Sequence, residues 1–272
     1  MPTAHVNGID LYYEETGSGE SLLLIAGFSA NSMLWAMQVP ALAQRYRVVT
    51  VDNRGVGRSA APPGPYTTRQ MADDAAGLLD HLGIERAHLV GWSMGGMIAQ
   101  EFALNHAAKL GRLVLLASLA QASAYTGPWL TYMAQGYELV AAGRLDEIGF
   151  TINTMPWMFT PAMMTQPAIV ELALQRSVAN PFPPTPQGIA GQSEACRAHL
   201  SGDAFERLNW IAAPTLVLVG AEDILTPPPY SRAMAERIPG ARLQILGHGG
   251  HGMQIEYAAA VNEALLAFLS EV

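Results

Sequence analysis

Cysteine is almost absent. Of 272 residues only Cys196 carries a thiol, so no internal disulfide can form and no thiolate cluster can hold a metal; the expectation is a structural thiol. Charge is scarce too. Asp, Glu, Lys and Arg make up 14% of the chain, and 15 Lys and Arg against 23 Asp and Glu leave a formal net charge of −8. The basic residues are scattered, without the footprint that a phosphate backbone requires, so nucleic acid is not expected as a partner. No apolar run approaches the roughly 18 residues of a membrane-spanning helix. The opening Met1-Pro2-Thr3-Ala4-His5 has no cationic segment leading into an apolar one. A cytoplasmic protein with no membrane partner is therefore expected. Internal repeats and low-complexity tracts are also missing.

What remains is a chain that is 50% hydrophobic, with apolar surface sufficient to offset chain entropy around one large core. Short apolar runs bounded by turn residues alternate with longer amphipathic stretches, the pattern of βα units feeding a mostly parallel sheet. Strands are expected at Ile9-Tyr13, Ser21-Ile25, Arg47-Val51, His88-Val90, Arg112-Ala117, Thr215-Val219 and Arg242-Leu246. The first two are joined by the Gly17-Ser18-Gly19 turn. Three- and four-residue apolar spacing predicts helices over Met33-Gln44, Thr68-Leu82, Met94-Asn105, Tyr230-Ile238 and Tyr257-Leu269. Strand signals vanish from about Leu119 to Leu208, where Pro, Met and aromatic residues accumulate. This divides the chain into a core of residues 1–118 and 209–272 and an inserted, mainly helical cap of residues 119–208.

The strongest chemical signal is Gly91-Trp92-Ser93-Met94-Gly95-Gly96, set between the strand ending at Val90 and the helix starting near Met94. It matches G-x-S-x-G in the strand-turn-helix context where a strained turn projects a serine hydroxyl, with the flanking glycines letting helix and strand approach. Ser93 is the candidate nucleophile. Two backbone N–H groups are the candidate oxyanion donors: that of Met94, directly after the serine, and that of Phe28, in the Ala26-Gly27-Phe28-Ser29 turn after an early strand. Serine needs an adjacent base held in the right tautomer by an acid. Strand Thr215-Val219 runs into Gly220-Ala221-Glu222-Asp223, and strand Arg242-Leu246 into Gly247-His248-Gly249-Gly250-His251. Asp223 and His251 thus stand on neighbouring loops on the carboxyl side of the sheet, in the chain order Ser, Asp, His. Of the two histidines, His251 has the better claim, because the Gly249-Gly250 pair permits the tight bend that swings an imidazole over the sheet edge.

These segments resemble the α/β-hydrolase fold superfamily along nearly the whole chain. Asp52-Asn53-Arg54-Gly55-Val56-Gly57-Arg58-Ser59 is similar to its D-x-R-G-x-G-x-S segment, Ala213-Pro214-Thr215-Leu216-Val217-Leu218-Val219-Gly220 with Asp223 to its P-T-L-V-x-x-G-x-x-D stretch, and Gly250-His251 to the G-H pair that carries its histidine. Within the superfamily the chain looks most like small bacterial capped esterases and lactonases, including enol-lactone hydrolases and methyl esterases. The resemblance implies an α/β fold with a mostly parallel central sheet flanked by helices and an inserted helical cap. Where many relatives carry His-Gly at the oxyanion strand end, this chain has Ala26-Gly27. Relatives that open epoxides or remove halide use Asp at the elbow, against which Ser93 argues.

The implied activity is hydrolysis of a carboxylic ester or lactone through an acyl-enzyme, with a small molecule as substrate and neither cofactor nor metal. A carbon–carbon bond hydrolase and a cofactor-free perhydrolase use similar sites, and a ligand-binding receptor with vestigial turnover is the non-enzymatic alternative. Trp92, Trp129, Met133, Met155, Trp157 and Met158 are the candidate lining of an apolar substrate pocket.

Overall fold

The computed structural model of the protein describes residues 2–271. Eight strands form one sheet: β1 (Thr3–Val6), β2 (Ile9–Thr16), β3 (Glu20–Ile25), β4 (Tyr46–Val51), β5 (Ala87–Trp92), β6 (Leu110–Leu116), β7 (Thr215–Gly220) and β8 (Arg242–Leu246), in the order β1-β2-β4-β3-β5-β6-β7-β8. From β4 to β8 all neighbours are parallel, while β1 and β2 form an antiparallel edge.

The strands are apolar at nearly every position because both faces are covered. Side chains alternate between two cores with the strand period of two: Leu23, Ile25, Val49, Leu89, Leu113 and Val217 face one, and Leu22, Leu24, Val48, Val90, Val114 and Leu216 the other. Helices Thr68–His81, Met94–Asn105 and Pro228–Arg237 cover the first face. Trp35, Leu42 and helix Ala258–Leu269 cover the second. Residues Leu22 to Ile25 have no exposed surface, and burial of such side chains contributes about 1.5–3 kcal/mol each. The central strands that carry the elbow are consequently buried on both faces.

The structure departs from expectation at β1 and at the helix after β3. β1 carries only two buried positions in four residues, too few to register as a strand. The Gly17-Ser18-Gly19 turn joins β2 to β3, and β4 lies between the two strands in the sheet. Gly17 and Gly19 have φ of +84° and +109°, and an added Cβ would meet backbone of residues 43–46 at 2.4–2.6 Å, so the turn wraps closely against the chain entering β4. The helix expected over Met33-Gln44 is a 3-10 turn, Ser32–Met37, followed by a four-residue helix, Val39–Leu42. Pro40 in the first turn of that second helix supplies no N–H to continue the first.

Among the described residues every regular element between β6 and β7 is helical: Thr126–Ala141, Glu147–Met158, Pro161–Met164, Pro167–Val178, Pro186–Ser201, Ala204–Arg207 and a last 3-10 turn, Leu208–Trp210. Side-chain oxygens of Asp146, Thr160 and Thr185 cap three of these helices at the N-terminus.

Candidate active site

Ser93 ends the sharp turn from β5 into helix Met94–Asn105, with φ 56° and ψ −119°. A non-glycine residue there stores about 1–3 kcal/mol of strain. The neighbours fix it: the Ser93 N–H donates to Leu116 O at 2.9 Å, and the Ser118 hydroxyl donates to Ser93 O at 2.8 Å. The flanking glycines are required by close approach. A Cβ on Gly91 would lie 2.2 Å from Gly95 O, and one on Gly95 would lie 2.1 Å from Ile25 O.

Ser93 Oγ lies 2.9 Å from His251 Nε2, and His251 Nδ1 lies 3.0 Å from Asp223 Oδ2. Burial acts to raise the Asp223 carboxyl, but the neighbouring His251 and the hydrogen bonds from His251 and Thr226 outweigh it and hold the group below its ordinary value. The ionised carboxylate can only accept, so His251 Nδ1 carries the proton and Nε2 is left to accept from the serine hydroxyl. Thr226 was not singled out from sequence. Its hydroxyl donates to Asp223 Oδ2 at 2.7 Å and sits 3.2 Å from His251 Nδ1, while the N–H groups of Leu225 and Thr226 donate to Asp223 Oδ1 at 2.9 and 2.7 Å. A threonine three residues after an acid at a strand end is the local signal that could have found it.

His251 is fixed from several sides. The Trp92 indole N–H donates to His251 O at 2.9 Å, and the two rings lie 5.0 Å apart. Of the glycine pair before it, only Gly249 uses the left-handed region, at φ +110°; Gly250 is small because a Cβ would lie 2.8 Å from Met158 O. The residues either side of the histidine are tied to the inserted helices. Gly252 N–H donates to Met158 O at 2.6 Å, and Gly250 N–H donates to Glu256 Oε2 at 2.8 Å. The other oxygen of Glu256 accepts from the N–H and hydroxyl of Thr160 at 2.8 and 2.6 Å. His248 is exposed, 3.4 Å from Glu222 and stacked on Tyr257, away from Ser93.

The N–H groups of Phe28 and Met94 donate to no protein atom among the described residues. A Cβ on Gly27 would lie 2.7 Å from the Trp92 ring and 2.9 Å from Ser93 Cβ, so the Phe28 turn rests directly on the elbow. Ala26 in place of histidine leaves that turn well held: Asn53 Nδ2 donates to Ala26 O at 2.9 Å, and Ser29 N–H donates to Gln192 Oε1 at 2.9 Å. Buried Gln192, from helix Pro186–Ser201, also donates to Arg54 O at 2.9 Å. Arg54 itself forms a buried two-bond ion pair with Asp74, at 2.6 and 2.8 Å.

A tight cavity adjoins Ser93, with about 30 Å³ open to the centres of water molecules. Phe28, Met94, Met97 and Leu119 wall it from the sheet side, and Trp129, Leu130, Cys196 and Leu200 from the inserted helices. Of the six lining residues expected from sequence, only Trp129 lies there. Trp92 sits under His251. Met133 is buried among the helices on the first face of the sheet, and Met155 is likewise buried. Trp157 stacks on Tyr125 with ring centres 4.7 Å apart, and Met158 packs toward the second face. The physical reason is that composition marks apolar residues without saying which face of a short helix they occupy. Cys196 and Leu200, one turn apart, reach the cavity instead. Burial pushes the Cys196 thiol up to about 12, so it stays protonated. Among the described residues no group of three or more His, Cys, Asp or Glu side chains could hold a metal ion.

An α/β hydrolase fold family model matches residues 20–258, spanning the Phe28 turn, the serine elbow and the Asp223 and His251 loops. The chain belongs to the α/β hydrolase fold family. A relative from Azorhizobium caulinodans, named provisionally as the carbamate hydrolase RutD, is 33% identical over 100% of this chain and 99% of its own length. A second of that name, from a Caulobacter strain, is 34% identical over 99% of this chain and 98% of its own. Among solved structures, an enol-lactonase from Burkholderia xenovorans superposes with a TM-score of 0.85 at 30% identity, covering 99% of this chain and 100% of the other. A thermophilic esterase from Thermogutta terrifontis gives 0.85 at 29% identity, covering 98% and 97%. This member of the family is accordingly a hydrolase acting on a small molecule. No helix among its described residues is long and apolar enough to cross a membrane.

Proposed function

We propose that this hydrolase is a serine enzyme that cleaves carboxylic esters or lactones with small acyl groups, working in the cytoplasm. The observation that carries the reading is the unbroken hydrogen-bond relay from Ser93 Oγ through His251 to Asp223. In this mechanism Ser93 attacks the carbonyl carbon as His251 Nε2 takes its proton, and the N–H groups of Phe28 and Met94 receive the oxyanion. The imidazolium returns its proton to the leaving alcohol. Water, deprotonated by the same nitrogen, then releases the acid. Residues 119–208 serve as the cap, and its closeness to Ser93 supports a short acyl group. A carbamate is the second reading, favoured by the name of the curated relatives and open to the same relay.

The test is turnover of an aryl acetate, an enol lactone and an aryl carbamate by the wild-type and Ser93→Ala proteins, with labelling by a fluorophosphonate. Stoichiometric labelling of Ser93 and a loss of at least about a thousandfold in the variant are expected. Wild-type turnover surviving in Ser93→Ala at more than a tenth would remove Ser93 as the nucleophile, and faster carbamate than ester turnover would reverse the order of the two readings.

A further inference from the structure

The cavity beside Ser93 is apolar, and its few polar side chains are nearly all engaged. The Thr226 hydroxyl is held by Asp223 and His251, and the Thr126 hydroxyl by Ser123. The Cys196 thiol is a weak donor. Trp129 is the exception: its Nε1 is fully buried and has no hydrogen-bond partner among the described residues, although it belongs to a wall of this cavity. A buried indole N–H left unpaired costs about 1–3 kcal/mol, and an aromatic that served only to fill space there could be phenylalanine at no such cost. The ring stands edge-to-face on Phe28, centroids 5.9 Å apart, which places Trp129 against the same residue whose N–H would hold the oxyanion.

We infer that Trp129 is a specificity-determining residue whose indole N–H donates to a second acceptor oxygen on the substrate, an ether or keto oxygen in a short acyl group, beyond the carbonyl that Ser93 attacks. This rests on the reading that Ser93 cleaves acyl esters. An acyl group with that oxygen completes the one buried side-chain donor of the wall that has no partner among the described residues. A plain alkanoyl group of equal length buries it still unpaired, and a site built to donate a hydrogen bond discriminates by that difference.

The test compares the aryl methoxyacetate with the aryl butanoate, which match in length and differ by an oxygen in place of a methylene. The ratio of their kcat/KM values is measured for wild type and for Trp129→Phe, so that the intrinsic reactivity of each ester cancels. The ratio is expected to fall by about three- to tenfold in the variant, because methoxyacetate loses more than butanoate does. A ratio that stays the same overturns the inference, as does an equal loss on both esters, which would make Trp129 a packing residue only.

A second measurement is independent of turnover and of the variant's folding. In Ser93→Ala protein labelled with ¹⁵N-tryptophan, the Trp129 indole resonance is identified by its absence from the Trp129→Phe, Ser93→Ala double variant, or by assignment if that protein does not fold. It is expected to move downfield with the methoxyacetate and not with the butanoate. Identical responses refute the inference. Failure of wild type to cleave any ester would instead refute the parent reading, leaving the resonance experiment to judge Trp129.

Discussion

Replacing Glu256 by glutamine keeps its volume and changes one oxygen into an NH2 group. The carboxylate accepts three bonds, two from Thr160 at Oε1 and one from Gly250 at Oε2. Neither orientation of an amide satisfies all three donors. With its oxygen toward Gly250, the NH2 can donate to the Thr160 hydroxyl, and only the Thr160 N–H is opposed; the reverse orientation sets NH2 against the Gly250 N–H. Each orientation keeps two of the three bonds, so the variant loses one hydrogen bond in the link between the inserted segment and the chain before His251. Losing one bond to a charged acceptor at a half-buried site costs about 1–2 kcal/mol, which lowers Tm by about 2–8 °C for a chain of this size. Glu256→Ala removes all three bonds, frees Gly250 beside His251, and is expected to cost about 3 kcal/mol or more. Calorimetry of the three proteins, with kcat on an aryl acetate, tests this. The glutamine variant should lose stability and keep kcat within about threefold, and the alanine variant should lose at least about tenfold. A glutamine variant as stable as wild type would show that the third Glu256 bond holds nothing, and an alanine variant with unchanged kcat would show that His251 needs no bracing from this side.

His251→Ala should be nearly as damaging as Ser93→Ala and add little when combined with it, since the relay acts as a unit, whereas His248→Ala should keep most activity; steady-state kinetics of the single and double variants decide it, and an inactive His248 variant beside an active His251 variant would reverse the assignment. Because folding holds Asp223 below its ordinary carboxylate value, its ionised form contributes stability above that ordinary value, which is lost as pH falls through the depressed one. The Tm difference between wild type and Asp223→Asn should accordingly be largest at neutral pH and shrink on acidification, and a difference that grows toward low pH would contradict the sign. Cys196, protonated because burial pushes its thiol up to about 12, should resist iodoacetamide in the native protein and react on unfolding; mass spectrometry showing alkylation of the folded chain at the rate of a free thiol would refute its burial.

The elbow, the loops carrying Asp223 and His251 and the parallel strands were legible because each is fixed by local chemistry. Gly91 and Gly95 are where an added Cβ would strike backbone, and the buried strands are uninterrupted runs of Val, Leu and Ile. Thr226 was missed although it lies three residues from Asp223, because a single threonine after an acid is a faint signal until its hydrogen bond to the carboxylate is seen. Glu256, Gln192 and Asn53 were missed for a deeper reason: each bridges segments far apart in the chain, as Gln192 joins the Ser29 turn to the loop after β4. The pocket fared worst. Six apolar residues were chosen from composition, and Trp129 alone reaches the cavity, since helix rotation in the insertion is set by packing that periodicity over short, Pro-rich helices does not specify.

The bonds at Thr160 and Gly252 give the insertion two separable effects on the site. One is mechanical: the segment of residues 158–160 grips the chain on both sides of His251, through Glu256 and through Met158 O. The other is chemical: helices Thr126–Ala141 and Pro186–Ser201 supply Trp129, Leu130, Cys196 and Leu200 to the cavity wall. The two sets of residues do not overlap. Substitutions in the wall can therefore change what fits beside Ser93 while leaving the Ser93–His251–Asp223 geometry in place, because among the described residues that geometry is anchored by Trp92, Thr226 and Ser118 and, on the insertion, by residues 158–160. Distant sites without shared partners combine additively in free energy. A Trp129→Phe, Glu256→Gln double variant should accordingly show the ester preference of the first and the reduced stability of the second, and a departure from additivity beyond about 0.5 kcal/mol would show that the cavity wall and the segment of residues 158–160 move together.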